Sequence, residues 1–420
     1  MKRFDSSSLL FLALPLVLVA AAAPTLEAKL KASEHTKIGK QVAAYFTALY
    51  ESKGINESFS KATEAVDKSA KKLKGTDIMS CVDDWEAIMA SANQTFHGYK
   101  DYKKKGKHMP GYKDKLTGAE GALFVPKKYS PRKGDALPLV IIVPDESEKP
   151  ESVMNDHWQS ALAQEEAILF VVKMPNNSRI WNEIGSIPDE PGGIASVMSA
   201  FGHLKSAFKV DLNRVFLAGR GAGTGAAIST AAAFPHLFAG VIGYGGVPEG
   251  LPHQNFTNVA TLFLNGGTHA TAFAEGLKTM GSENCTVSEG TDTDIWPWVA
   301  EQSREAYPAK LHFEPTINFG ESTNWVDLKG FSVDEKPVLD ASFDRAANSI
   351  TIKAENVVKV QVYLNDQMAD LSKPVKVTIN GEEREQVVTR NRKTLMDLAF
   401  KNGDWGRVFV SRLAFDVPVQ

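Results

Sequence analysis

Hydrophobic positions change their period twice along the chain. Between residues 27 and 95 they recur every three to four residues. Val42, Tyr45, Phe46, Leu49 and Tyr50 fall on one face and predict a helix with a single buried stripe. Two further helices are predicted over residues 58–74 and 77–92. From about Gly118 the apolar residues gather instead into short unbroken runs, at 122–126, 139–143, 167–172, 215–218, 240–243 and 260–264. Such runs suit parallel strands buried on both faces. Helical stretches at 158–166, 193–208, 225–233, 271–280 and 296–306 separate them, and this alternation predicts a doubly wound α/β sheet. After about Pro337 the period falls to two. Ser349-Ile-Thr-Ile-Lys353 alternates, runs at 357–364, 375–379 and 408–415 follow, and Asn380-Gly381 is a hairpin turn. A helix is expected near 394–401. The closing segment therefore reads as a small β-sandwich-like module.

These changes divide the 420 residues into five parts. Residues 1–23 read as a signal peptide: Lys2 and Arg3 precede an apolar stretch over 9–23, and Ala20 to Ala23 offer small-residue cleavage sites. That stretch is short for a bilayer span. A secreted or periplasmic location is expected, with no stable membrane span. Residues 24–117 form a helical N-terminal region and basic linker, 118–310 the α/β domain, 311–336 a linker and 337–420 the β-rich module. The formal net charge of −3 argues against a general nucleic-acid partner. Two cysteines, Cys81 and Cys285, make neither a disulfide framework nor a metal site. The nine histidines are scattered with no metal-ligand spacing, so no metal or other cofactor is expected.

The most informative stretch is Asn213-Arg-Val-Phe-Leu-Ala-Gly219-Arg220-Gly221-Ala222-Gly223. A strand runs into a glycine-rich turn and then a small-residue helix. Serine hydrolases of the α/β kind place their nucleophile on such a turn, in G-x-S-x-G. Here the turn reads G-R-G-A-G, and Gly221 stands at the nucleophile position. Glycine relieves about 1 kcal/mol or more of backbone strain at such an apex, but it brings no hydroxyl. The turn also fits G-x-G-x-x-A, yet the next strand ends in Gly243-Tyr244-Gly245, without the acidic residue that a dinucleotide ribose needs.

The chain resembles secreted bacterial α/β-hydrolases of the feruloyl-esterase, polyhydroxybutyrate-depolymerase and dienelactone-hydrolase kind. The resemblance rests on Phe124-Val-Pro-Lys-Lys-Tyr129, Leu137-Pro-Leu-Val140, Val210-Asp-Leu-Asn-Arg-Val-Phe-Leu-Ala-Gly219 and Phe234-Pro-His-Leu-Phe-Ala-Gly240, in that order, and covers about residues 118 to 310. It implies ester hydrolysis by a nucleophile, a base, an orienting acid and an oxyanion hole. Each position departs from the pattern. The nucleophile is Gly221. The acid position after the sixth strand reads Thr268 or His269, with no carboxylate. The base region, 289–296, holds Asp292 but no histidine. The oxyanion loop after the second run reads Pro144 and Asp145; proline has no N–H to donate, and a carboxylate repels a developing oxyanion.

Two uses of the turn remain open at this level. The N–H groups of Ala222 and Gly223, at a helix N-terminus beside Arg220, suit a small anion. Alternatively, Arg220 pairs with Asp145 or Glu249. Trp181 falls where these esterases often carry a loop over the site, as a groove-lining or core residue. The sequence thus supports an exported α/β-hydrolase-fold protein that has lost esterase activity and acts in binding or scaffolding, with an unknown polymer, small carboxylate or protein as ligand. The alternative is a hydrolase using non-standard groups, for which Asp145, Asp292 and Asp294 are the carboxylates to test.

Overall fold

A computed structural model describes residues 30–186 and 190–418 of the chain; the expected signal peptide lies outside them. No helix among the described residues is long and apolar enough to cross a membrane.

The principal sheet has eight strands: β1 (His108–Lys113), β2 (Glu120–Phe124), β3 (Leu137–Val143), β4 (Ile168–Val172), β5 (Val210–Arg220), β6 (Gly240–Tyr244), β7 (Ala260–Leu264) and β8 (Cys285–Ser288). Their spatial order is β1-β2-β4-β3-β5-β6-β7-β8. β2 runs antiparallel to its neighbours, and β3 to β8 are parallel. Every residue of β3 and β4 is buried, as expected for strands covered on both faces. This is the strand order of an α/β-hydrolase-like sheet, reached by crossovers on both sides. The flanking helices are α4 (Pro150–His157), α5 (Gln159–Gln164), α6 (Gly193–Ala207), α7 (Ala222–Ala233), α8 (Gly267–Thr279) and α9 (Asp292–Glu301).

Two strands escape the periodicity. β1 lies in the basic stretch expected to be a linker; it is an edge strand whose register breaks between Met109 and Tyr112, around Pro110 and Gly111. Proline is tolerated there because an edge strand has a side without partners. β8 is the opposite edge, and three of its four residues are exposed, so no apolar run marks it. β5 begins five residues earlier than its apolar core at Val215, because Asp211, Asn213 and Arg214 interrupt the hydrophobic pattern.

The remainder forms one body from both ends of the chain. α1 (Ala32–Tyr50), α2 (Ile55–Ala70) and α3 (Val82–His97) pack with two further sheets, one of five strands and one of three. The first sheet contains β9 (Lys310–Phe313), β11 (Val338–Asp344), β12 (Ser349–Glu355), β14 (Val375–Ile379) and β15 (Glu382–Gln386). The second contains β10 (Val326–Lys329), β13 (Lys359–Leu364) and β16 (Ser411–Asp416). β9 and β10 arise within and beside the expected linker 311–336. Ile38, Val42, Phe46, Trp85 and Ile88 of the helices share a continuous core with Trp325, Ile350, Val377 and Met396. α10 (Arg392–Asn402) seals the contact: Tyr45 Oη donates to Asp397 at 2.6 Å, and the Phe46 and Phe400 rings lie 5.5 Å apart. The helical region therefore shares one core with the β-module rather than forming a separate arm, and the α/β sheet lies between the two in sequence.

Candidate functional site

Parallel register builds the site. β3 pairs with β5 so that Val143 lies opposite Gly219. Two residues further along each strand come Asp145 and Gly221, which are thereby brought side by side. Gly221 has φ +52° and ψ −122° and caps α7, a conformation costing a residue with a side chain about 1–3 kcal/mol. α7 can start this close to the sheet because Gly223 has no Cβ; one built there would stand 2.3 Å from the Pro144 carbonyl oxygen and 2.5 Å from that of Val143.

The space above Gly221 is filled. A Cβ on Gly221 would lie 2.5 Å from Asp145 Cγ and Oδ2 and 2.6 Å from Oδ1. The same carboxylate accepts the Ala222 N–H on Oδ1 at 2.9 Å, and the Glu146 N–H on the same atom at 2.9 Å. In an active elbow the N–H after the nucleophile belongs to the oxyanion hole. Here the Asp145 carboxylate accepts the hydrogen bond that such a donor would give to a developing oxyanion. The loop of Pro144 and Asp145 thus sets its own side chain on the N–H that opens α7.

Around this plug runs a polar chain that motif reading did not find. Asp145 N–H donates to Glu148 Oε2 at 3.0 Å. Glu148 Oε1 lies 3.0 Å from Arg220 Nε and 3.1 Å from His157 Nε2. Arg220 also donates to His157 Nδ1 at 3.0 Å, which makes Nδ1 an acceptor and leaves Nε2 to donate to Glu148. The Arg220 guanidinium lies 5.5 Å from the Tyr244 ring centroid. Its partners are therefore Glu148 and His157, not Asp145 or Glu249. Glu148 and His157 belong to no spaced motif, and only the β3–α4 connection folding back over β5 brings them to Arg220. With Ala222 N–H taken by Asp145 and Arg220 by Glu148, the two strongest donors for an external anion at the turn are already engaged.

The two loops expected to carry the acid and the base are joined to each other. The loop after β7 and the loop after β8 are clasped by Asn265, whose Nδ2 donates to Gly290 O at 2.8 Å and whose Oδ1 accepts from Gly290 N at 3.1 Å. Thr268 and His269 are exposed in the first turn of α8, and His269 lines a separate cavity of about 290 Å³ with His253 and Glu249. Asp292 Oδ2 accepts from Ser160 Oγ at 2.9 Å and Ser160 N at 3.2 Å, holding the start of α5. Asp294 completes a capping box with Thr291. Both are helix-end residues, and neither lines the cavity that Asp145 lines.

That cavity, about 540 Å³, opens beside the plug between β1, the start of α4 and the 174–181 loop. Trp181 lines it with its ring buried and its Nε1 donating to Pro175 O at 2.8 Å. Glu120, Asp145, Glu146, Glu148 and Glu151 line it together with Lys149 and Lys173, and Lys173 pairs with Glu120 at 2.8 Å, so its lining is rich in carboxylates. Among the described residues no group of three or more His, Cys, Asp or Glu could hold a metal ion.

No protein-family model matches the chain, and no curated protein matches it. Solved structures that it is similar to are esterases and serine hydrolases. A thermostable esterase is 18% identical with a TM-score of 0.36, covering 46% of this chain and 62% of that one. A ferulic acid esterase is 14% identical with a TM-score of 0.37, covering 46% and 96%. The fluorophosphonate-binding serine hydrolase FphF of Staphylococcus aureus, with substrate bound, is 12% identical with a TM-score of 0.36, covering 46% and 97%. The chain thus spans less than two thirds of the first of these esterases; its own strand order and parallel-rich sheet make it a mixed α/β protein of hydrolase-like fold.

Proposed function

We propose that this is an exported, catalytically degenerate member of the α/β-hydrolase fold, acting in binding or scaffolding rather than ester cleavage. One observation carries the reading. The Asp145 carboxylate stands where a nucleophile side chain would project from Gly221 and accepts the hydrogen bond of Ala222 N–H. Nucleophile, oxyanion hole and access are lost together, and the clasp of Asn265 on Gly290 takes the ground where acid and base would meet. Removing triad members one by one leaves residual rate only while the hole and binding survive. With the hole self-occupied, that residue goes too. The acidic cavity lined by Trp181 is the natural place for a neutral or cationic part of a polymer or protein ligand.

The test is turnover of activated esters of graded chain length, with fluorophosphonate labelling, by the purified protein. Neither turnover nor labelling is expected. Turnover that survives repurification and disappears in Asp145→Asn would overthrow the reading and make Asp145 the working group of an unusual hydrolase.

A further inference from the structure

A second cavity, remote from the elbow, lies where α6, the turn after α7 and the β-module meet. Its volume is about 280 Å³. At about 30 Å³ per water-sized group, it has room for about nine such groups. Phe201, Phe409 and Phe319 line it, and the Phe319 ring is 74% exposed.

Two cations lie on these rings, Lys205 Nζ 5.1 Å from the Phe201 centroid and the Arg407 guanidinium 5.7 Å from that of Phe409. Both residues line the cavity. Behind them the buried Arg304 holds Asp404 in a bidentate pair at 2.8 and 3.0 Å, and Arg407 shares that carboxylate, with Nε 3.4 Å from Asp404 Oδ2. One carboxylate therefore serves two guanidinium groups, and Lys205 Nζ rests on the Gly403 carbonyl at 3.0 Å rather than on an anion. The other carboxylate in the wall, Asp327, already receives Tyr363 Oη at 2.6 Å. Arg407 Nη1 donates to the Thr323 and Asn324 carbonyls and its Nε has only that ion contact with Asp404, while His236 Nδ1 is buried without a hydrogen-bond partner among the described residues. Arg407 and His236 are 93% and 94% buried, from exposures of 7% and 6%. A buried polar group left so is uncommon and points to a missing partner.

Gly202 supplies an independent sign. It sits inside α6 and lines the cavity, and a Cβ built there would meet nothing within 4 Å. Glycine weakens a helix interior relative to alanine, and here the space it leaves is cavity.

We propose that this cavity binds a small organic monocarboxylate of about nine heavy atoms in all, its carboxylate against Lys205 and Arg407 and its apolar body against the phenylalanines. His236 supplies a third polar contact, its imidazole offering a donor or an acceptor according to tautomer. Arginine and lysine are suited to carboxylates by charge and by donor geometry, and an aromatic wall with a few placed polar groups orients such a molecule. The site is independent of the elbow and stands whether or not the elbow is inactive.

Calorimetric titration of the whole protein with benzoate and hexanoate, beside benzyl alcohol and hexan-1-ol, tests this. Both carboxylates are expected to bind and the neutral alcohols at least tenfold more weakly. Gly202→Leu, which fills the cavity, is expected to weaken benzoate at least tenfold with an unchanged circular dichroism spectrum. Phe319→Ala, at an exposed position that folding does not depend on, is expected to weaken it about threefold. No heat from either carboxylate would overturn the proposal. So would alcohols that bind as well as the acids, or binding unchanged in Phe319→Ala and in folded Gly202→Leu.

Discussion

Replacing Gly221 by serine in an active hydrolase elbow would restore it; here it should damage the protein, and the structure says by how much. The new Cβ would fall 2.5 Å from Asp145 Cγ and Oδ2, well inside any real contact. Overpacking of this kind costs about 1–3 kcal/mol, and a residue with a side chain at φ +52° adds about 1–3 kcal/mol of backbone strain. Gly221→Ser is therefore expected to lose about 2–6 kcal/mol of stability. Asp145→Ala keeps Cβ and removes all three clashing atoms, together with the acceptor for Ala222 N–H and Glu146 N–H, for a loss of about 1–3 kcal/mol. In the double variant the overpacking disappears while the strain stays. Its loss should fall short of the sum by about 1–3 kcal/mol. Urea denaturation of the four proteins at pH 7, with a shared m-value, measures that coupling. Losses that add within about 0.5 kcal/mol would refute the placement of the carboxylate in the nucleophile's space. The double variant should still not turn over esters, because no histidine stands in the base region 289–296.

Three further outcomes follow from buried groups and from one helix. Burial, opposed in part by the hydrogen bond from Tyr307, raises the Glu86 carboxyl to about 7; the folded state then holds a proton that the unfolded chain releases near 4.5. Stability from this group falls as pH rises from about 4.5 to 7, so Glu86→Gln should gain up to about 3 kcal/mol at pH 8 and almost nothing at pH 4, in paired denaturation curves. The Arg304 and Arg407 guanidinium groups hold Asp404 ionised, overcoming the opposing effect of complete burial. Asp404→Asn leaves both cations without their carboxylate and should cost about 3–5 kcal/mol, read as a fall in Tm. Gly202→Ala should stabilise α6 by about 0.5–1 kcal/mol, since its Cβ meets open space; a loss in the same assay would mean that the space is not there.

Much of the molecule is legible in the sequence because local rules govern it. The unbroken apolar runs at Leu139 to Val143 and Ile168 to Val172 mark strands covered on both faces. The change to period two after Pro337 marks the β-module. Gly221 at an otherwise intact strand–turn–helix shows by itself that no hydroxyl stands at the apex, since a missing side chain is a covalent fact. Edge strands carry no such signal, because solvent on one side removes the need for apolar residues; hence β1 and β8 are silent in the pattern.

Only the tertiary structure decides what fills the space left behind. Asp145 reaches the apex because the parallel register sets Val143 against Gly219, and sequence separation carries no trace of that register. Glu148 and His157 become partners of Arg220 through chain folding alone. The same holds for the two ends of the chain. Val42 and Phe46 announce a buried stripe, but a stripe does not name its partner. Ile350 and Phe400 complete that core from some three hundred residues away, because burying apolar surface depends on area and shape and is indifferent to position along the chain.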